Sequence, residues 1–256
     1  MVQSSPYTRA LLRRPGINFR EGITTSEWEA PDYRLALQQH RHLSDTLSAC
    51  GIQVLSMEAD VSHPDCPFVA DTALVTRTSS VIMRMAEASR EQETESVAAL
   101  LSTFFPVRHV LAGRVQGGDV VQIGNRFVIG VTRHSNQIGA EHLAALLQAE
   151  GYEAMIVRVQ LPGFLRDHVT WLGEERLLLH PALASLPPFA GYAYFFPGDG
   201  ELHGTAALRI GQRLLLPEGC PLLGLQMEEA GFEVSHIPIT EFRKMDGSLP
   251  GLTLLW

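Results

Sequence analysis

Residues 118–132, Gly-Asp-Val-Val-Gln-Ile-Gly-Asn-Arg-Phe-Val-Ile-Gly-Val-Thr, set two runs of β-branched and aromatic residues on either side of Gly124-Asn125. This pattern predicts a β-hairpin closed by a two-residue turn. Apolar residues at helical spacing follow over 137–150, Gly151 stands where a helix should stop, and 153–159 (EAMIVRV) has the composition of a third strand.

Outward from this stretch the same ββαβ order recurs. Residues 71–84 are two short strand-like runs followed by a helical pattern over 91–104. Residues 205–216, turning at Gly211-Gln212, lead into a helix over 221–230, a stop at Gly231 and a strand over 232–239. A further copy, 168–179 around Gly173-Glu174, is followed by the Pro- and Gly-rich run 181–198, which predicts loop in place of a helix. At the N-terminus a helix over 32–49, Gly51 and a strand over 52–57 form another copy, whose first half is assigned to 6–30. The modules are then 1–60, 61–110, 111–160, 161–204 and 205–256. Units of roughly 40–50 residues cannot each bury a sheet face alone and must stack. The expectation is a single domain, a closed and roughly fivefold α/β propeller, with a pocket where the hairpin ends converge. An ordinary mixed-sheet α/β domain is the alternative.

Composition narrows the function classes. With 45% hydrophobic residues over 256 positions the chain can bury a large core, and a net charge of −8 gives no basic footprint for nucleic acid. Lys244 is the only lysine, which argues against a P-loop and leaves one candidate for Schiff-base chemistry; no cofactor is expected. Cys50, Cys66 and Cys220 are widely spaced and suit a reducing, cytoplasmic compartment. No apolar run reaches the ~18–20 residues a membrane helix needs, and the N-terminal stretch, with Arg9, Arg13 and Arg14, is expected to be loose.

Three segments carry a resemblance. Residues 64–71 (PDCPFVAD), 117–136 with Gly117-Gly118-Asp119 and Thr132-Arg133-His134-Ser135-Asn136, and 240–247 (TEFRKMDG) resemble the signatures of dimethylarginine dimethylaminohydrolases, and the similarity runs from about residue 15 to the C-terminus. The resemblance implies the pentein five-bladed α/β propeller. It also implies a site in which a cysteine thiolate attacks a guanidino carbon, a histidine serves as acid and base, and a glutamate orients that histidine. Carried across, the nucleophile's place, after Asp246-Gly247-Ser248-Leu249-Pro250, is Gly251; the histidine's is Phe164; the glutamate's is Gln116. Asp65, Phe68, Asp71, Arg84, Arg90 and Asp119 match the family's substrate-holding positions. A guanidino-gripping glutamate is replaced by Ala70, and a carboxylate-binding arginine by His134, with Arg133 beside it. Members of a catalytic triad act as a unit, so three losses together imply that the familial hydrolysis is gone.

Other groups were weighed as substitutes. If 164–168 is extended, His168 shares a face with position 164 and could serve as a base; otherwise it satisfies a backbone group near solvent. Cys66 lies among the anionic Asp65 and Asp71, which disfavour a thiolate. His63, Asp65 and Cys66, or His40 and His42, offer metal-ligand types without a recognisable spacing, so no metal is expected. Tyr192, Tyr194, Phe195 and Phe196 form either a ligand lid or a plain strand. The leading expectation is a non-hydrolysing family member, a pseudoenzyme, monomer or homodimer, that binds an amino-acid-like or carboxylate-bearing small molecule less cationic than methylarginine or serves as a structural or regulatory partner. The alternative is a different acid/base reaction on an amino-acid-derived substrate, using Asp65, Asp71, Asp119 or His168.

Overall fold

The computed structural model describes residues 7–256. The expected loose N-terminus falls in part on residues 1–6, which lie outside the described residues; from Arg9 the chain is already a strand with a mostly buried face, so looseness does not extend to it. The chain divides into two compact units, one built from the residues up to Val69 and from Gly198 onward, the other from Ala70–Pro197.

The first unit begins with β1 (Arg9–Arg13), α1 (Tyr33–Ala49) and β2 (Gln53–Met57), with β1 and β2 parallel. Asp32 caps α1 by accepting from Leu35 N at 2.8 Å, and Ala36, His40, Leu43 and Leu47 form its buried stripe.

The second unit carries three sheets. β3 (Ala73–Val75) and β4 (Ser80–Ile82) are antiparallel, and after α2 (Glu93–Leu101) β5 (Val107–His109) returns parallel to β4. β6 (Val120–Ile123) and β7 (Arg126–Val131) form the hairpin on which the fold was read, with Ile123 opposite Arg126 and Gly124 in the left-handed region at φ 62°. α3 (Gln137–Gln148) and β8 (Glu153–Arg158) complete that copy. In the next, β9 (Val169–Gly173) and β10 (Arg176–Leu179) turn at Glu174 and Glu175, one residue beyond the expected Gly173-Glu174. Two short 3-10 turns stand where its helix is missing, and β11 (Ala193–Phe195) closes the sheet. The aromatic run is therefore a strand, with Tyr194 anchored by a hydroxyl bond to Phe189 O at 2.7 Å.

The chain then re-enters the first unit with β12 (Leu208–Ile210), β13 (Arg213–Pro217), α4 (Pro221–Glu229) and β14 (Glu233–Ile237). After two single-turn helices, α5 (Thr240–Arg243) and α6 (Leu249–Leu252), β15 (Leu254–Leu255) pairs antiparallel with β1. This corrects the assignment of the first copy: its antiparallel strand comes from the C-terminus and not from residues 6–30. Phe19, Leu43, Leu47, Phe68, Leu215 and Phe242 pack in the first unit's core, and Phe127, Ile129 and Leu143 in the main core of the second. No helix among the described residues is long and apolar enough to cross a membrane.

Candidate ligand-binding site

The residues singled out in the sequence divide between the units. Asp65, Phe68 and Gly251 belong to the first, and Asp71, Arg84, Arg90, Gln116, Asp119, Arg133, His134, Phe164 and His168 to the second.

In the second unit the site grows from the turn that precedes β6. Gly117 lies directly on Ala70 O, and a Cβ on Gly118 would stand 2.5 Å from the Phe164 ring and 2.9 Å from Asp71 Oδ1, so the Gly-Gly pair is required by close approach. Asp119 is buried behind this turn, accepting from Thr132 Oγ1 at 2.7 Å, Ser135 Oγ at 2.6 Å and Leu165 N at 3.0 Å. Those bonds tie β6, the end of β7 and the 165–167 turn together. Burial outweighs them and pushes the Asp119 carboxyl up to about 6.

Asp71 and Glu93 are both buried, and Arg90 links them, Nη1 lying 2.9 Å from Asp71 Oδ2 and Nη2 3.0 Å from Glu93 Oε2. Burial raises the Asp71 carboxyl and the Arg90 charge opposes that shift. Asp71 Oδ1, at the Gly118–Phe164 contact, has no hydrogen-bond partner, and neither has Gln116 Oε1. Among the described residues these two buried acceptors lack donors.

Gln116, His134 and Phe164, three of the positions at which the resemblance implies a replacement in this unit, are physically linked. Phe164 stacks on His134 with ring centroids 4.3 Å apart and planes 28° from parallel. His134 Nδ1 lies 3.3 Å from Glu87 Oε1, and Gln116 Nε2 donates to Glu87 Oε2 at 2.7 Å. The bond to His134, seconded by that to Gln116, holds the Glu87 carboxyl down to about 2 against partial desolvation. Arg133 Nε donates to His134 Nε2 at 2.8 Å, which assigns the ring proton to Nδ1. Glu87 has no place in any sequence pattern. It lies in the loop between β4 and α2, where neither periodicity nor motif marks it.

In the first unit, both Asp65 carboxylate oxygens accept from Ile23 N, at 3.0 and 3.2 Å. Phe68 packs on Phe19, and its ring edge lies against the α-carbon of Gly247. Gly251 is different. Its N–H reaches Ser248 Oγ at 3.3 Å, and a Cβ would meet only that oxygen at 3.4 Å and Phe68 at 3.9 Å.

The remaining candidates stand apart from these groups. Residues 165–167 form a 3-10 turn, so 164, 166 and 168 do not share an extended face; His168 Nε2 is engaged by Pro162 O at 2.6 Å, and its ring edge meets His180. Arg84 is exposed and donates to Leu111 O at 2.9 Å. Cys66 is buried, its sulfur accepting from Asp60 N at 3.4 Å, while His63 Nδ1 pairs with Asp60 at 2.8 Å. His40 is buried in α1, where desolvation and then the Arg14 charge bring it down to about 4. Cys220 lies 3.2 Å from His203 Nε2, and burial followed by the Glu201 charge pushes its thiol up to about 11. Among the described residues no group of three or more His, Cys, Asp and Glu side chains could hold a metal ion.

Comparison with known proteins agrees with this architecture. A family model for arginine deiminase matches residues 62–166. The structure superposes on a cysteine-to-serine variant of Pseudomonas aeruginosa dimethylarginine dimethylaminohydrolase complexed with citrulline, with a TM-score of 0.94 and 26% identity over 98% of this chain and 99% of that one. The substrate-bound N-terminal domain of a cyanobacterial arginine dihydrolase shares the fold at TM-score 0.84 and 20% identity, covering 96% and 97%. The fold is thus the five-bladed α/β pentein fold, each of the five three-stranded sheets supplying a blade. In sequence, the chain is 30% identical to the dimethylarginine dimethylaminohydrolase of Streptomyces coelicolor over 97% of both chains, and 28% identical to that of Pseudomonas aeruginosa over 97% of this chain and 99% of that protein. The chain belongs to the dimethylarginine dimethylaminohydrolase family.

Proposed function

We propose that this family member binds an amino-acid-like, carboxylate-bearing small molecule and does not hydrolyse a guanidino group. The observation that carries the reading is the chemical content of the three divergent positions. A hydrogen atom at Gly251, a phenyl ring at Phe164 and a carboxamide at Gln116 offer no nucleophile, no proton donor and no orienting charge. Steric need does not account for the first of these, since a Cβ at 251 would make only ordinary contacts.

Binding is supported by what the site keeps. Asp71 Oδ1 and Gln116 Oε1 are buried acceptors without donors, and an N–H-bearing ligand end would satisfy both. Relatives hold ligands of this class, citrulline in one case. With Ala70 and Gln116 where the family has carboxylates, a neutral ureido end suits the site better than a guanidinium. A single domain over 1–256, no cofactor and a cytoplasmic location accompany this reading.

A second reading, a different acid/base reaction, is favoured by the His134–Glu87 pair and by an Asp119 that titrates near 6. Mass spectrometry of small molecules released from the purified protein, followed by calorimetry with citrulline, arginine and dimethylarginine, tests both. Citrulline binding more tightly than dimethylarginine and recovered unchanged supports the first reading. Conversion of the released molecule on re-incubation supports the second. No binding of any amino acid overturns the ligand class.

A further inference from the structure

The Arg133 guanidinium is exposed, and among the described residues it makes a single hydrogen bond, through Nε to His134. Among the described residues neither Nη group has a carboxylate partner. An arginine tethered at Nε, with its outer fork open, presents two parallel N–H donors to an incoming carboxylate.

The tether is itself held in depth. His134 can accept from Arg133 only at an unprotonated Nε2, and its Nδ1–H then faces Glu87 Oε1 at 3.3 Å. Glu87 is fixed at its other oxygen by Gln116 Nε2 at 2.7 Å, and the His134 ring is fixed from its face by Phe164. Gln116 fits this arrangement where a glutamate would not, because a carboxylate at that point would face the Glu87 carboxylate within hydrogen-bond distance. The groups at 116, 134 and 164 are therefore one interlocked set that ends on Arg133.

We propose that Glu87 and His134 are positioning residues that hold Arg133 as a carboxylate clamp, and that they determine the protein's selectivity for ligands carrying a carboxylate. This rests on the ligand class given above and moves the carboxylate contact from position 134, the family's arginine position, to Arg133, with His134 as its support. A free arginine of the same charge, without the relay, would sample many rotamers and lose that freedom on binding.

The test is a ratio. Binding of L-citrulline and of its decarboxylated counterpart, N-carbamoylputrescine, is measured by calorimetry for the wild type and four variants. Roughly 30-fold or greater preference for citrulline is expected from the wild type, as charge-assisted bidentate pairing implies. Arg133→Gln should bring the two ligands within about threefold, and Arg133→Lys, which keeps the charge but has no Nε–H to tether, should lose most of the preference. His134→Phe keeps the stack on Phe164 but removes both ring nitrogens; it and Glu87→Gln, each measured well below its melting temperature, should lower the preference by about tenfold. Retention of the full preference in Arg133→Lys, His134→Phe and Glu87→Gln overturns the positioning role and leaves the function reading intact. Wild-type protein that binds neither molecule overturns both.

Discussion

Gly251 in one unit and Gln116 in the other, which the proposed reading places at the family's nucleophile and glutamate positions, have physically different surroundings. At Gly251 there is room for a side chain: Ser248 Oγ and Phe68 stand at ordinary distances from where a Cβ would be. Around Gln116 the neighbours engage one another. The amide donates to Glu87, Glu87 accepts from His134, and His134 stacks on Phe164, so each side chain is the partner of the next. A nucleophile can be lost by one codon change without disturbing the fold. The four interlocked side chains of the second unit hold one another in place, which the proposed reading takes as a site kept for binding.

The largest expected effect tests whether the charges of the second unit are as tightly committed as its geometry indicates. Arg90→Leu leaves Asp71 and Glu93 buried without their shared cation and should cost about 3–5 kcal/mol by urea denaturation. A loss below about 1 kcal/mol would show that those carboxylates are held neutral or solvated.

Next comes the interlock. Gln116→Glu places a second carboxylate against Glu87 and should cost about 1–2 kcal/mol, most of it recovered in the double variant Glu87→Gln/Gln116→Glu. Strict additivity of the two substitutions would break the comparison drawn above.

A smaller, pH-dependent effect follows from Glu87. Its carboxyl is lowered from an ordinary 4.5 to about 2, so its contribution is fully present above pH 4.5 and is lost as pH falls through about 2. The stability gap between wild type and Glu87→Gln, about 1 kcal/mol after solvent screening of a half-exposed group, should therefore close over that window. Asp119 acts in the opposite sense: raised to about 6, it withdraws stability as pH rises from about 4 through 6, in both proteins alike.

The smallest effect belongs to the empty position. Gly251→Ala and Gly251→Cys should each change stability by no more than about 0.5 kcal/mol. A cost of several times that would mean that glycine is kept there for packing, and the contrast with the second unit would vanish.

Much of the architecture was legible because its signals are local. The β-branched runs of 120–131 and the apolar spacing in α1 and α3 each act within a dozen residues, and Gly51, Gly151 and Gly231 mark helix ends with positive φ. What escaped depends on distant partners or on loop geometry. The pairing of β15 with β1 joins the two ends of the chain, and no local pattern announces it. The placement of His168 turned on whether 164–168 is extended, and the Asp167 side chain, accepting from Phe164 N at 2.9 Å, winds it into a 3-10 turn instead. The replaced positions Gln116, Phe164, His134 and Gly251 could be found by matching motifs. Glu87 could not, since a lone glutamate in an irregular loop acquires meaning only once His134 and Gln116 are seen on either side of it.

The central claim is that guanidino hydrolysis is absent. Incubating the purified wild-type protein with dimethylarginine from mildly acidic to alkaline pH, with detection of citrulline by mass spectrometry, tests it most directly. The account predicts that no citrulline forms at any pH. Citrulline formed by the wild type at any pH would contradict it, whether or not it persists in the Cys66→Ala/His168→Ala variant.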